Sequence, residues 1–319
     1  MIDRPIRIAT RESPLALWQA EYTARRLQDL GHKTQLVPMT SDGDQAATPI
    51  DGSRSVGVFT KRIQDAVLND EADVAVHSLK DLPTEEHPDL VVAAIPVRAD
   101  VRDSLILRKT GESIAGGNSK GIDCLPQNAV VGTNSKRRGA QILHHRSDLR
   151  IVPLRGNVQT RLRKLEEGQF DATLLAEAGL NRLEMDIKRM VLPLEAMLPA
   201  PGQGALGIEV RRDDTALQDI VAQLDDLPTR LAVTAERHLL SRLHGGCLVP
   251  IAAFAMIDSG QKLSLRASVL SVDGLQRLDA NGGSSLDGDP ANQMQAALSL
   301  ATNVAKELVS KGAEALLER

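Results

Sequence analysis

The chain has 319 residues, which is enough for two or three domains that each bury a core. Hydrophobic residues make up 42% of it, charged residues 25% and aromatic residues 2%, and the formal net charge is -4. A negative balance with few aromatic rings argues against a nucleic-acid or acidic-membrane binder, so any basic site must be local.

The cysteine count and the hydropathy pattern indicate an internal protein. Cys124 and Cys247 are too few for a disulfide framework, and they show no zinc spacing with histidines. No stretch approaches the roughly 18 apolar residues of a membrane span, and no apolar signal segment precedes the first strand. We therefore expect a cytoplasmic protein with no metal, no membrane partner and no nucleic-acid partner.

The first part of the chain alternates strands with helices. Residues 6–9 predict a short strand, and Ser13 followed by Pro14 predicts the start of a helix. A second helix is predicted around 59–68, and it leads into a buried strand at 73–77. This order is typical of a β-α-β unit.

The same order recurs further along the chain. The predicted elements are a strand at 129–133, a helix at 141–144, a helix at 160–168 and a strand at 171–175. Ile8-Ala9-Thr10 aligns with Val131-Gly132-Thr133, and Asp73 aligns with Asp171. The pattern predicts two similar α/β domains flanking a cleft, with chance similarity between two β-α-β units as the alternative.

The pattern changes from about residue 226. A helix is followed by strand candidates at 250–257, 262–270 and 275–281, a loop rich in Gly, Ser and Asp, and a final helix at 290–310. This predicts a small α+β domain with an antiparallel sheet. The fold class expected for the whole chain is therefore α/β, with two α/β domains and this small C-terminal domain.

Polar residues follow two of the predicted strands. Ser78-Leu79-Lys80-Asp81 places a carboxylate beside an ammonium and a hydroxyl, which could bind an anion and stabilise a cation. The alternative is a turn whose Asp bonds its own backbone. Thr133-Asn134-Ser135-Lys136-Arg137-Arg138 occupies the equivalent place in the second unit, where a helix start and two guanidinium groups suit carboxylates.

Further arginines follow strands or begin helices of the second unit, namely Arg155, Arg161 and Arg182. Each alone is typical of a solvated surface residue, but their shared placement predicts a local basic cleft for a small ligand rich in carboxylates. Cys247 follows Gly245 and Gly246, and Pro250 fixes the exit of the loop. The thiol is expected on a shaped loop, with a small buried hydrophobe as the alternative.

Five ordered motifs resemble the porphobilinogen deaminase family along nearly the whole chain; they span residues 7–16, 76–83, 155–161, 201–205 and 245–247. The resemblance implies that Cys247 carries a dipyrromethane cofactor through a thioether. It also implies that four porphobilinogen molecules are joined to this cofactor in turn, each releasing ammonia, before hydroxymethylbilane is released by water. By the same resemblance, Asp81 is the catalytic carboxylate.

The resemblance assigns the remaining site residues to two groups. Cofactor binding is implied for Ser78, Lys80, Thr133, Ser135, Arg137 and Arg138. Binding of the substrate and the growing polypyrrole is implied for Arg11, Gln19, Phe59, Arg155, Arg161 and Arg182. A monomer without a metal is the state that the resemblance implies.

The family fold implies three domains, of which the first two resemble periplasmic binding proteins. Their expected bounds are 1–99 with 200–222, then 100–199, then 226–319. The chain departs from the family pattern at positions concerned with loop closure, rate and chain-length control, which are Asp42, Val56, Arg62, Gln64, Asn134 and Lys136. Asp81 and Cys247 are unchanged.

Two other functions compete with this one. A non-catalytic cytosolic binding protein for a small carboxylate-rich ligand would use the same basic cleft, but it needs neither a thiol on a glycine loop nor a third domain. A cysteine-dependent hydrolase would leave Cys247 open to alkylation, whereas the family resemblance implies a blocked thiol.

Overall fold

The computed structural model describes residues 4–39, 60–108, 121–243 and 249–317. The strands are β1 (Ile6–Arg11), β2 (Thr34–Met39), β3 (Val74–Ser78), β4 (Leu90–Ala94), β5 (Asp103–Leu107), β6 (Val130–Gly132), β7 (Arg150–Val152), β8 (Ala172–Ala176), β9 (Met190–Val191), β10 (Leu206–Arg211), β11 (Ile251–Ile257), β12 (Lys262–Leu270) and β13 (Arg277–Ser285). The α-helices are α1 (Pro14–Asp29), α2 (Lys61–Leu68), α3 (Lys136–His145), α4 (Val158–Glu166), α5 (Glu177–Arg182), α6 (Thr215–Ala222), α7 (Leu227–Arg242), α8 (Pro290–Ser310) and α9 (Ala313–Leu317). Short 3-10 turns lie at Leu79–Asp81 and Gly121–Cys124.

The chain divides into two compact units. The first contains Met1–Ala99 and Gly204–Leu231, and the second contains Asp100–Gln203 and Ala232–Arg319. The bounds of the three domains expected from the sequence remain a prediction.

The first unit contains a mixed five-stranded sheet. Its strand order is β2-β1-β3-β10-β4, with β1 parallel to β2 and β3, and with β10 antiparallel to both of its neighbours. Ile8, Val74 and Ile208 are fully buried on its three central strands. Strands that are apolar on both faces can be covered by helices on both sides, and this unit places α1 and α2 in such cores.

The second unit contains a sheet with the same pattern. Its order is β7-β6-β8-β5-β9, with β6 parallel to β7 and β8, and with β5 antiparallel to β8 and β9. Ile8 pairs with Val74 in the first sheet, and Val131 pairs with Ala172 in the second. The alignment of Ile8 with Val131 in the sequence therefore corresponds to equivalent places in two sheets.

One aspartate closes each of these parallel pairs in the same way. Oδ2 of Asp73 accepts a hydrogen bond from the Arg7 backbone N–H at 2.8 Å, and Oδ2 of Asp171 accepts one from Val130 at 2.9 Å. The backbone N–H groups of both aspartates in turn donate to carbonyls of the neighbouring strand, at Arg7 and Val130. Each carboxylate thus fixes the start of its strand, which explains why Asp occurs at both positions.

The C-terminal part of the second unit contains an antiparallel sheet of order β11-β12-β13. Together with the two α/β sheets, it confirms the predicted fold class. The sequence predicted the third strand at 275–281 and a loop after it, whereas β13 extends to Ser285. The reason is close packing, because a Cβ at Gly282 would lie 2.8 Å from Cδ1 of Leu300 on α8. The glycine that suggested a loop allows the helix to approach the strand.

Candidate active site

A cavity in the first unit lies at the carboxyl ends of two parallel strands. Arg11 is the last residue of β1 and Ser78 is the last residue of β3, so the direction of the strands brings both to one edge of the sheet. The cavity is lined by Arg11, Ser13, Leu15, Ala16, Gln19, Thr60, Ile63, Val76, His77, Ser78 and Asp81. The structure thus brings together Arg11, Gln19, Ser78 and Asp81 of the predicted set.

Leu79 determines how its neighbours are presented. It is buried, and its backbone N–H donates to the Ala205 carbonyl at 3.0 Å. Ser78 and Lys80 on either side of it are half-buried, and Asp81 is exposed and lines the cavity. One apolar anchor in a short 3-10 turn therefore directs a hydroxyl, an ammonium and a carboxylate away from the core.

Helix α1 is attached to this edge by two hydrogen bonds. Gln19 is buried, and its Nε2 donates to Oγ of Ser78 at 2.8 Å. The Thr10 hydroxyl donates to the Ala16 carbonyl at 2.9 Å. Pro14 begins the helix as the sequence predicts, but the Ser13 side chain caps none of the described helix N–H groups. The Ser13 hydroxyl, which lines the cavity, is therefore not committed to the helix.

His77, which lines the cavity, is paired with a second buried ionisable residue, Glu209. Nε2 of His77 lies 2.9 Å from Oε2 of Glu209 without hydrogen-bond geometry, and both side chains are almost fully buried. Gln64 donates to the two Glu209 oxygens at 3.2 and 3.0 Å. Gln64 is one of the departures from the family pattern, and its role here is to satisfy a buried carboxylate. The sequence analysis did not single out His77 or Glu209.

The second unit contains the predicted arginine pair, which is buried at the start of α3. Arg137 and Arg138 are 5% and 6% exposed, and both contact the fully buried carboxylate of Asp103. Arg138 Nη2 donates to Oδ1 at 2.6 Å, and Arg137 Nη1 lies 2.8 Å from Oδ2. The sequence predicted the pair but not Asp103.

The cluster of Arg137, Arg138 and Asp103 contains two positive charges and one negative charge. Burial by itself raises the pKa of Asp103, but the guanidinium groups of Arg137 and Arg138 outweigh burial and hold that pKa well below its usual range. The carboxylate is therefore ionised at neutral pH. One positive charge remains uncompensated within the three residues, which suits an anionic ligand.

The turn that starts α3 is built by the other predicted residues of this segment. The Thr133 hydroxyl accepts from the Ser135 backbone N–H at 3.1 Å, and the Ser135 hydroxyl accepts from the Arg138 backbone N–H at 3.3 Å. Ser135 is therefore the cap of α3. Asn134 and Lys136, which depart from the family pattern, are exposed.

The other predicted arginines lie on neighbouring segments of the second unit. Arg155 is exposed after β7, and Arg161 on α4 donates from Nε to the Gly156 carbonyl at 2.8 Å. Arg182 ends α5 and is half-buried. Lys80, Arg155, Arg161 and Arg182 each take part in further polar interactions.

Several predicted residues lie outside the described ranges. These are Cys247, Phe59, Asp42 and Val56. Arg62 lies within them and forms an ion pair with Glu71 at 2.7 Å. Cys124 is buried with Sγ 3.9 Å from Sδ of Met190, and burial raises the pKa of its thiol.

The described residues contain neither a candidate metal site nor a membrane-spanning helix. No group of three or more His, Cys, Asp or Glu side chains within these ranges could hold a metal ion. Over the same part of the chain, no helix is long and apolar enough to cross a membrane.

Some solved structures are similar to this chain at low identity. One is the VFT2 domain of BvgS from Bordetella pertussis, in a double mutant, with 14% identity and a TM-score of 0.41 over 69% of this chain and 85% of that domain. Another is an arginine transport system periplasmic binding protein from Legionella pneumophila, with 14% identity and a TM-score of 0.39 over 69% and 91% of the two chains.

Two family models match nearly the whole chain. Residues 6–219 match the porphobilinogen deaminase dipyrromethane cofactor binding domain, and residues 230–310 match the porphobilinogen deaminase C-terminal domain. The predicted family is thereby confirmed, and the match to an enzyme family favours a transferase of tetrapyrrole biosynthesis over a non-catalytic binding protein. The chain belongs to the porphobilinogen deaminase family, whose members are hydroxymethylbilane synthases.

Proposed function

We propose that this enzyme joins four porphobilinogen molecules head to tail into hydroxymethylbilane, on a dipyrromethane attached through a thioether to Cys247. The observation that carries the proposal is the cavity of the first unit, where the Asp81 carboxylate, the Arg11 guanidinium and the hydroxyls of Ser13 and Ser78 line one space. A pyrrole with acetate and propionate side chains offers N–H donors and carboxylates. The Asp81 carboxylate can accept from a pyrrole N–H, and the Arg11 guanidinium and the two hydroxyls can donate to the carboxylates.

Asp81 supports the step in which ammonia leaves. When the C–N bond of porphobilinogen with a protonated amino group breaks, the nitrogen takes the electron pair and leaves as ammonia, and the pyrrole becomes a cationic azafulvene. A carboxylate close to the pyrrole nitrogen stabilises this developing charge, which lowers the barrier. When bound, the dipyrromethane would supply the nucleophilic pyrrole carbon to which the first porphobilinogen is joined, and that carbon would lose its proton as the C–C bond forms.

The cationic residues bind the carboxylates of the substrate and of the growing chain. Each pyrrole adds an acetate and a propionate, so the need for positive charge grows with every addition. The assigned cofactor ligands are Ser78, Lys80, Thr133, Ser135, Arg137 and Arg138, and the assigned substrate ligands are Arg11, Gln19, Phe59, Arg155, Arg161 and Arg182. The excess positive charge beside Asp103 supports the assignment of the arginine pair.

We further propose that the enzyme works as a cytoplasmic monomer of three domains, bounded at 1–99 with 200–222, at 100–199 and at 226–319. The position of β10 in the sheet of the first unit supports the return of the chain to the first domain. Size-exclusion chromatography with light scattering would contradict the monomer if the mass were a multiple of 34.4 kDa.

The deciding experiment incubates the purified chain with porphobilinogen. We expect release of ammonia and, after acid oxidation, formation of uroporphyrin. Intact mass spectrometry of the same sample should show successive additions of pyrrole units to a protein that is already heavier than its sequence. A protein of unmodified mass that releases no ammonia, even after preincubation with porphobilinogen, would overturn the proposal.

A further inference from the structure

A buried polar network surrounds the arginine pair in the second unit. Asp103, Gln203 and Glu236 are each 0% exposed. Buried polar groups destabilise a fold unless their hydrogen bonds are satisfied, so three of them in one connected network indicate a specific arrangement.

Gln203 fixes the carboxylate that holds the arginines. Its Nε2 donates to Oδ1 of Asp103 at 3.0 Å and to the Val101 carbonyl at 2.7 Å. The same Asp103 oxygen accepts from Arg138 Nη2 at 2.6 Å and from Nε at 3.2 Å. Because the amide and the guanidinium share this oxygen, Gln203 limits rotation of the carboxylate and thereby limits movement of Arg138.

Glu236 fixes the turn on which Gln203 lies. Oε2 of Glu236 accepts from the Gly202 backbone N–H at 2.7 Å, and Oε1 accepts from the Ala255 backbone N–H at 2.8 Å. Glu236 belongs to α7 and Ala255 belongs to β11, the two elements that flank residues 244–248 in the sequence. One carboxylate therefore ties the turn to both of these elements.

The arginine pair keeps hydrogen-bond donors that the described residues do not use. Arg137 donates through Nη1 to the Leu198 carbonyl at 2.5 Å, and Arg138 donates through Nε and Nη2 to Asp103. Within the described ranges, Nε and Nη2 of Arg137 and Nη1 of Arg138 donate to no protein atom. These donors and the uncompensated positive charge suit a carboxylate, provided that the guanidinium groups are held in place.

We propose that Gln203 and Glu236 are positioning residues for Arg137 and Arg138. Glu236 holds the turn, Gln203 on that turn orients the Asp103 carboxylate, and Asp103 directs the free donors of the arginines toward the ligand. The proposal rests on the carboxylate-binding role that the proposed function gives to this pair.

The test compares Gln203→Met and Glu236→Gln with a matched control. Gln218→Met also removes an amide that donates to backbone carbonyls, but its acceptors, Arg211 and Arg212, belong to the first unit and not to the network. The first readout is solvent exchange of the Arg138 Nε proton by nuclear magnetic resonance, with the signal assigned by its loss in Arg138→Lys. The second is the split between KM for porphobilinogen and kcat during assembly of the dipyrromethane on the apoprotein, because the proposed function assigns Arg137 and Arg138 to the cofactor.

We expect Gln203→Met to speed exchange of the Arg138 Nε proton and to raise KM for porphobilinogen by about tenfold, since a hydrogen bond to a charged cluster is lost. The kcat value should change by less than about twofold, because the groups at the reacting atoms are intact. Glu236→Gln should act in the same direction, and Gln218→Met should change neither readout.

The proposal would be overturned if Gln203→Met changed neither the exchange of the Arg138 Nε proton nor KM for porphobilinogen. A lower melting temperature with both values unchanged would mean that Gln203 has a purely structural role. If Glu236→Gln failed to fold, Gln203→Met alone would decide. A wild-type enzyme that joins no porphobilinogen while exchange still responds to Gln203→Met would instead overturn the proposed function and support the positioning role.

Discussion

At the scale of single residues, the candidate site depends on a few side chains that fix the direction of their neighbours. Leu79 is buried between Ser78 and Lys80, and its burial turns the polar residues of the motif outward. Gln19 then fixes the Ser78 hydroxyl through a hydrogen bond of 2.8 Å. The direction of the polar residues in the motif thus depends on an apolar residue and on an amide that also lines the cavity.

Asp81→Asn tests the charge of this carboxylate. The amide keeps the size of the side chain but cannot stabilise a developing cation, so we expect the rate of porphobilinogen addition to fall by at least about 100-fold, comparable to removal of one electrostatic contact in a preorganised site. Rapid-quench measurement of the first addition by intact mass gives this rate. A variant that adds porphobilinogen within a few fold of the wild-type rate would remove Asp81 from the mechanism.

Cys247→Ala tests the attachment of the cofactor. The wild-type protein should exceed its sequence mass by a dipyrromethane, and the variant should have the mass of its sequence. Cys124→Ala is the matched control, because Cys124 is buried beside Met190 and should leave the added mass in place. An added mass that persists in Cys247→Ala would contradict the thioether at this residue.

Sequence analysis identified the proposed ligand-binding residues more readily than the residues that hold them. Arg137 and Arg138 stood out at a helix start, but their partner Asp103 begins the apolar segment Asp103–Leu107 some distance away in the sequence. Glu209 and Glu236 also lie within buried segments. A carboxylate inside an apolar run is the available signal, but its partners are determined by tertiary contacts that periodicity does not encode.

At the scale of elements, the turn between β12 and β13 packs against helix α3. Gly274 in this turn has φ of +73°, and a Cβ there would lie 2.6 Å from the His144 backbone nitrogen and 2.7 Å from the Ala140 carbonyl oxygen. Nδ1 of His144 donates to the Gly274 carbonyl at 2.9 Å. The antiparallel sheet is thus attached to the helix that begins with the arginine pair.

Gly274→Ala should destabilise this contact. We expect the free energy of unfolding to fall by about 2–4 kcal/mol, from the left-handed backbone and the clash with backbone atoms together. Gly312→Ala separates the two effects, because Gly312 has φ of +96° with no atom within 4 Å of the added Cβ, and it should cost only about 1 kcal/mol. Urea denaturation measures both variants, and equal losses would contradict the packing argument.

Local sequence patterns predicted most of the helices and strands whose signal lies in neighbouring residues. The strand at 262–270 agrees with β12, and the final helix at 290–310 agrees with α8. The helix predicted at 141–144 is longer in the structure, because α3 begins at Lys136 under the Ser135 cap. The extension of β13 was missed, since glycines predict loops until a packed helix is known to lie over them.

At the scale of the whole molecule, both units contain a buried aspartate that is paired with two arginines. Burial raises the pKa of Asp73, but hydrogen bonds from Arg4 and Arg7 more than offset this and hold its pKa below the usual range. The pKa of Asp103 is lowered in the same sense by Arg137 and Arg138. Both carboxylates therefore bind protons less readily in the folded protein than in the unfolded chain.

This difference in proton binding makes the stability of both units depend on pH in the acidic range. An aspartate whose pKa is lower in the folded protein contributes to the free energy of unfolding. This contribution is fully present above the pKa of the unfolded chain, which is about 4. It is lost as the pH falls below that value, because the unfolded chain then binds more protons than the folded protein. We expect the free energy of unfolding, measured in urea, to decline between about pH 4 and pH 2. The decline should be smaller in Asp73→Asn. An identical dependence of the free energy of unfolding on pH in the wild type and the variant would contradict the assignment of this decline to Asp73.

The topology of the whole molecule was only partly accessible from the sequence. The alignment of Ile8 with Val131 anticipated two equivalent sheets, because the parallel β-α-β units are local in sequence. The antiparallel strands β10 and β5 carry no local signal of their partners. Their positions are set by contacts that join distant segments, which a window of neighbouring residues does not contain.

The insertion of β10 between β3 and β4 affects how the protein is made in the cell. A ribosome releases the chain from its N-terminus, so β3 and β4 emerge long before Leu206–Arg211 is synthesised. Until then the edges of β3 and β4 that pair with β10 lack this partner, and unpaired strand edges can pair with other chains. We therefore expect the nascent chain to associate with other chains more readily before Leu206–Arg211 is synthesised than after β10 has paired.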